Sequence, residues 1–130
     1  MATATVTLSG VAPAAERALF AFPTWTTKDT GTAAALTATT SAVAGYQHCL
    51  THITVSFSAA PSGALQLLIK DGTTTIWQTE LGTEVRIYTE NFETRPLHAS
   101  VNADLTATVA SAGGSVVQTI QMAGFSVKGA

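Results

Sequence analysis

The sequence predicts an all-β protein, and two patterns carry this prediction. Apolar and polar residues alternate in several short stretches, which is typical of strands with one buried face. Turn-forming residues separate these stretches at even spacing, as in β-sandwiches and jelly rolls. We therefore expect a jelly-roll-like β-sandwich of about eight short antiparallel strands with an N-terminal extension.

The clearest strand is predicted at residues 50–58. There Ile53, Val55 and Phe57 alternate with polar side chains, so that one face of the strand is apolar. The dipeptide Asp71-Gly72 lies between two further strand-like stretches and predicts a hairpin with a type I′ turn, because both residues tolerate a positive φ.

A single domain is expected for 130 residues. We expect residues 1–30 to form an N-terminal arm and residues 31–130 to form the sandwich. Residues 24–31 are polar and predict a loop. The aromatic residues Phe20, Phe22 and Trp25 lie in the arm. They either anchor a contact with a partner or close one end of the core, and the sequence leaves both readings open.

Charged residues are scarce in this chain. They make up 11% of it, against roughly a quarter in a typical globular domain. No Asp, Glu, Lys or Arg occurs in the 39 residues from Gly31 to Ile69. A weakly charged surface favours association with other protein, and the formal net charge of −2 favours it too. Because the six Lys and Arg are scattered, we expect no nucleic-acid partner.

Cysteine usage and hydropathy indicate the cellular compartment in which the chain is made. Cys49 is the only cysteine, so no internal disulfide can form. No secretory signal is visible, and no apolar run approaches the ~20 residues that span a bilayer. We therefore expect no membrane partner and synthesis in a reducing cytoplasm.

The histidine pattern does not predict a metal site. His48 and His52 are four residues apart, a spacing that chelates metal on a helix. In a strand four residues span about 13 Å, which is too far for one ion. Even spacing predicts that both rings share one polar face, where symmetry-related copies could give a pH-sensitive contact. Cys49 is expected to be a small buried residue rather than a nucleophile.

Neither acids nor aromatics predict catalysis. Acidic residues between Lys70 and Arg95 alternate with Arg86, which favours a solvated edge or an interface rim over paired catalytic carboxylates. We expect Arg86 and Arg95 to orient a subunit or partner contact. We expect no enzyme activity and no cofactor. A sugar-binding platform is an open alternative, and its aromatic residues would be Trp25, Tyr46, Trp77 and Tyr88.

Several stretches in residues 44–127 carry a family resemblance. Its motifs are Ala44-Gly45-Tyr46-Gln47-His48, Ile53-Thr54-Val55-Ser56-Phe57-Ser58, residues 65–69, Asp71-Gly72, Ile76-Trp77, Asn91-Phe92, Arg95-Pro96-Leu97 and Ala112-Gly113-Gly114-Ser115. In these stretches the chain resembles the capsid decoration, cement or head auxiliary proteins of tailed bacteriophages. The resemblance implies a jelly roll, a homotrimer and a place on the outer surface of the capsid, in contact with the major capsid protein. It implies no catalytic residues.

The sequence therefore predicts a structural virion protein that stabilises a phage capsid by binding its outer shell as a homo-oligomer. Two alternatives stay open: a carbohydrate-binding or adhesin module, and a component of the phage tail or baseplate.

Overall fold

The computed structural model describes residues 23–129, which form nine β-strands and no helix. Every strand pairing is antiparallel. The strands are β1 Thr24–Thr32, β2 Leu36–Thr40, β3 Tyr46–Phe57, β4 Leu65–Asp71, β5 Thr74–Leu81, β6 Ile87–Asn91, β7 Leu97–His98, β8 Leu105–Val109 and β9 Val117–Lys128. The predicted all-β class is confirmed.

The strands form two sheets, as in a β-sandwich. The larger sheet has the order β1-β9-β3-β6, and the two-residue β7 pairs with β3 beyond the end of β6. The smaller sheet has the order β2-β8-β4-β5. The pairings are nested along the chain, because β1 pairs with β9, β2 with β8, β3 with β6 and β4 with β5.

Both sheets contribute alternate side chains to one apolar core. In β8 the residues Leu105, Ala107 and Val109 are fully buried, and the two threonines between them are half-buried. Ile120 and Met122 of β9 are buried in the same cluster. Full burial of a large aliphatic side chain contributes about 1.5–3 kcal/mol, so this period of two stabilises the pairing register as well as the fold.

A β-bulge interrupts the pairing of β3 with β9. Leu50 lies opposite Gly124 and His52 lies opposite Ala123, so Thr51 is an extra residue on β3. The Thr51 hydroxyl donates a hydrogen bond to the Ala123 carbonyl at 3.1 Å. An extra residue reverses the alternation of the side chains that follow it. His48 and Leu50 therefore share the core side with Ile53, although their positions differ by odd steps from it.

The hairpin at Asp71-Gly72 occurs where the sequence predicts it, but the type I′ turn is wrong. Asp71 pairs with Thr74, so the two loop residues are Gly72 and Thr73. Only Gly72 of these two has a positive φ, of 60°. A positive φ at the first loop position alone is the pattern of a type II′ turn, which favours glycine there.

The predicted polar loop at residues 24–31 is also wrong. These residues belong to β1, which pairs with β9 along its whole length and forms one edge of the larger sheet. Residues 24–30 of the predicted arm therefore lie in the sheet, whereas residues 1–22 are outside the described part of the chain. An edge strand is held by backbone pairing on one side. The side chains of β1 are mostly polar, so the sequence shows no alternation of apolar and polar residues that would predict a strand here.

Candidate interaction surface

Trp25 packs against the sandwich core. Its side chain is half-buried against the core, and its Nε1–H donates a hydrogen bond to the Phe125 carbonyl at 3.0 Å. Its ring meets that of His48 edge to face, with 5.9 Å between the centroids. Phe20 and Phe22 lie outside the described residues. A role of these three aromatic residues in a partner contact stays a prediction.

His48 is a buried structural residue on the core side of β3. Its Nε2 lies 2.8 Å from the Ser41 carbonyl oxygen, which can only accept a hydrogen bond, so Nε2 carries a proton. Its Nδ1 lies 2.7 Å from the Ser126 hydroxyl, which donates the hydrogen bond in the tautomer with the proton on Nε2 alone. The ring thus connects the loop after β2 to β9 through two hydrogen bonds.

His52 lies on the opposite face of the larger sheet from His48, so the prediction of a shared face is wrong. The extra residue Thr51 between the two rings reverses the alternation. The His52 side chain is 42% exposed, and its Nε2 is 3.7 Å from a carboxylate oxygen of Glu93. Only one of the two rings can therefore belong to a contact through the outer face of this sheet.

Arg86 and Arg95 are exposed, and they lie just before and just after β6, an edge strand of the larger sheet. Arg86 donates a hydrogen bond from Nη2 to the Ser58 carbonyl at 2.6 Å. Within residues 23–129 the only basic side chain close to a carboxylate is His52, beside Glu93, so neither arginine pairs with a carboxylate there. Their proposed role in orienting a partner stays a prediction.

The two tryptophans of the suggested sugar platform belong to separate contacts. Trp77 of β5 meets Phe92 edge to face, with 5.2 Å between the ring centroids, and both side chains pack against the core. Trp25 packs instead on the larger sheet beside His48. The structure does not bring these two indoles together into one platform.

Tyr88 is the residue whose protonation the fold shifts most clearly. Burial, the hydrogen bond that its hydroxyl donates to Glu90 at 2.6 Å and the charge of that carboxylate together raise the pKa of Tyr88 to about 12, although a hydrogen bond with Thr79 acts in the other direction. Burial likewise raises the pKa of the Cys49 thiol, which is buried as expected and remains protonated at neutral pH.

We expect the stability of the protein to fall between pH 10 and about 12. The folded state keeps the Tyr88 proton to a higher pH than the unfolded chain does, so its contribution is complete below pH 10 and is lost as pH rises through the folded pKa. Urea unfolding measured from pH 8 to 12 tests this. Tyr88→Phe should flatten the decline over that range, and an equally steep decline in this variant would contradict the assignment.

The outer side of the larger sheet forms a broad surface with little charge, which we call the neutral face. Lys28 is the only Asp, Glu, Lys or Arg among the strand residues that point to this side in the described chain. Its members are Thr24, Thr26, Lys28, Thr30 and Thr32 of β1, Val117, Thr119, Gln121, Ala123, Phe125 and Val127 of β9, Gln47, His52, Thr54 and Ser56 of β3, Ile87, Thr89 and Asn91 of β6, and His98 of β7.

Threonine pairs cross the neutral face between neighbouring strands. The hydroxyls of Thr30 and Thr119 are 3.3 Å apart, and so are those of Thr54 and Thr89. The uncharged run in the sequence pointed toward such a surface, but most of β9 was not recognised as part of it. In β9, Val117, Thr119 and Gln121 alternate with buried residues, and this alternation could have indicated which side chains of the strand point outward.

Comparison with known proteins adds no identification. No protein-family model matches the chain, and no curated protein is significantly similar to it. Within residues 23–129, no three His, Cys, Asp or Glu side chains are placed to hold a metal ion. The same residues contain no helix that could cross a membrane.

Proposed function

We propose that this chain is a structural protein of a tailed-bacteriophage particle, which binds the outer capsid as a homo-oligomer and stabilises the shell. The observation that carries this proposal is the neutral face, where the strands present hydroxyl, amide and apolar side chains and Lys28 is the only Asp, Glu, Lys or Arg among the strand residues. Depletion of charge is typical of the buried centre of protein interfaces.

The strand pairing supports the finer fold that we propose with it. Without the short β7, eight strands pair as nested partners, from the first with the last to the fourth with the fifth. In addition, β9 pairs with β3 and β8 pairs with β4. A long antiparallel hairpin that is rolled up in this way has the connectivity of a jelly roll. The resemblance to capsid decoration proteins implies this fold, a homotrimer and the major capsid protein as partner.

The direct test compares phage particles with and without this protein. Deletion of its gene should give heads that release DNA at a lower temperature, because the shell loses an external reinforcement. Adding the purified chain back should restore both the release temperature and a fixed number of bound copies, seen by electron microscopy of the heads.

Three other results would contradict the proposal. Location of the chain at the tail would favour the tail or baseplate alternative. Binding on a glycan array together with absence from heads would favour the carbohydrate-binding alternative. Particles of unchanged stability that never bind the added chain would exclude a role in the capsid.

A further inference from the structure

We propose that the side-chain amide of Gln118 binds one structural water molecule inside the sandwich. The site lies at the end of the sandwich where two loops meet: residues 58–64, which connect β3 to β4, and residues 110–116, which connect β8 to β9. The inference does not depend on the virion role, because it follows from the hydrogen bonds of one buried side chain.

Gln118 is a fully buried polar side chain. It is 0% exposed and belongs to the core side of β9. Its Oε1 accepts a hydrogen bond from the backbone N–H of Ala112, which is also fully buried. Its Nε2 has no hydrogen-bond partner among residues 23–129. A buried N–H group without an acceptor is unfavourable, because it has given up its hydrogen bond to solvent and gained none in return.

The orientation of the Gln118 amide is determined by Ala112. A rotation of the amide by half a turn would place Nε2 against the Ala112 N–H, so that two donors would face each other. The Ala112 N–H would then lose its acceptor as well. Nε2 is therefore the atom that remains without a partner, and its two N–H donors require an acceptor from outside the Gln118–Ala112 pair.

The cross-strand neighbours of Gln118 do not supply a strong acceptor. The residue opposite on β1 is Gly31, which has no side chain, and the residue opposite on β3 is Phe57, whose side chain is apolar. The face of an aromatic ring accepts N–H groups only weakly. A separate molecule is therefore the better acceptor for Nε2.

The two loops bring further polar groups to this end of the sandwich. The Ser62 N–H donates to the Ala112 carbonyl at 3.0 Å, and the Val117 N–H donates to the Ser58 hydroxyl at 2.9 Å. Buried water makes about three hydrogen bonds to otherwise unsatisfied polar groups. Because water both accepts and donates, one molecule can accept from Nε2 and donate to oxygen atoms of these loops.

Charge and burial both favour water over other ligands. No Asp, Glu, Lys or Arg occurs in residues 31–69 or 105–127, which include both loops. A buried ion would find no opposite charge there, and an unpaired buried ion is strongly unfavourable. The ligand must also be small, since Gln118 and Ala112 are both 0% exposed. One water needs a cavity of only about 10–15 Å³.

The first test is an NMR measurement of magnetisation transfer from water to the side-chain amides of the full, isotope-labelled chain. We expect the Nε2 protons of Gln118 to show Overhauser effects of opposite sign in the laboratory and rotating frames, because a bound water tumbles with the protein. Gln78 is the internal control, since it is an exposed residue of β5. Its amide meets short-lived surface water, which gives effects of equal sign.

The second test is a crystal structure that resolves ordered water. We expect a water oxygen about 2.7–3.2 Å from Nε2 of Gln118. A protein atom at that place overturns the inference, and so does the loss of magnetisation transfer at Gln118 while the Gln78 control behaves as expected.

Phe57→Leu tests the aromatic ring as the alternative acceptor. A bound water predicts that the transfer to Gln118 persists in this variant, whose folding circular dichroism establishes. If the Nε2 protons of the unmodified chain are instead shifted upfield, and Phe57→Leu abolishes that shift, then the ring is the acceptor and the inference is overturned. The measurement on the unmodified chain decides the question even where the variant does not fold.

Discussion

Replacing Gly124 with alanine is expected to destabilise the fold by about 3 kcal/mol, because no side-chain atom fits at this position. An alanine Cβ there would overlap the carbonyl oxygen of Cys49 and would lie 2.7 Å from Cζ2 of Trp25. The first contact is with backbone at the β-bulge, so neither neighbour can move away easily. Gly124 thus permits the bulge in β3 and the close packing of the Trp25 indole on β9.

The measurement is denaturant unfolding followed by tryptophan fluorescence. Gly82→Ala is the matched control, because an added Cβ there meets nothing within 4 Å and the backbone does not have a positive φ. That variant should stay within about 0.5 kcal/mol of the unmodified chain. Equal unfolding free energies for the two variants would contradict the role assigned to Gly124.

The strands that the sequence predicted best are those with one fully buried face. Ile53, Val55 and Phe57 alternate with polar residues in the sequence, and all three are buried in the structure. The period of two reports burial directly, because water is excluded from every second side chain. Where the sandwich covers one side of a strand, the sequence alone is enough to predict the strand and its buried face.

β1 was missed because its side chains do not follow that rule. Lys28, Asp29 and Thr30 are all exposed in succession, although Asp29 lies opposite the buried Ile120 on the core side of the sheet. The neighbouring sheet does not cover this part of the edge. The strand is fixed by its backbone pairing with β9, which is almost 100 residues away in the sequence and leaves no local pattern.

The bulge at Thr51 could not be predicted for a similar reason. It depends on Gly124, which lies in the partner strand and permits the close approach of the Cys49 carbonyl. Without the bulge, even spacing would place His48 and His52 on one face, as their positions in the sequence predict. Composition, in contrast, predicted the neutral face in general terms, because scarce charge must leave some surface uncharged wherever the strands pair.

Because the bulge places His48 and His52 on opposite faces of the sheet, we expect the two side chains to contribute very differently to the stability of the protein. His48→Ala is expected to destabilise the protein by about 3 kcal/mol, since it empties a buried site and removes partners from the Ser126 hydroxyl and the Ser41 carbonyl. His52→Ala should cost less than about 0.5 kcal/mol, because that ring is exposed and its contact with Glu93 is a surface pair at 3.7 Å.

Urea unfolding at pH 7.5 measures both variants under the same conditions. A double-mutant cycle adds a sharper readout, because Ser126→Ala removes the hydroxyl that His48→Ala leaves without a partner. The double variant should therefore lose less stability than the sum of the two single variants, by about 1 kcal/mol. If instead His52→Ala costs as much as His48→Ala, or the two core changes simply add, then His48 does not connect β9 to the loop after β2, and the bulge does not separate the two rings.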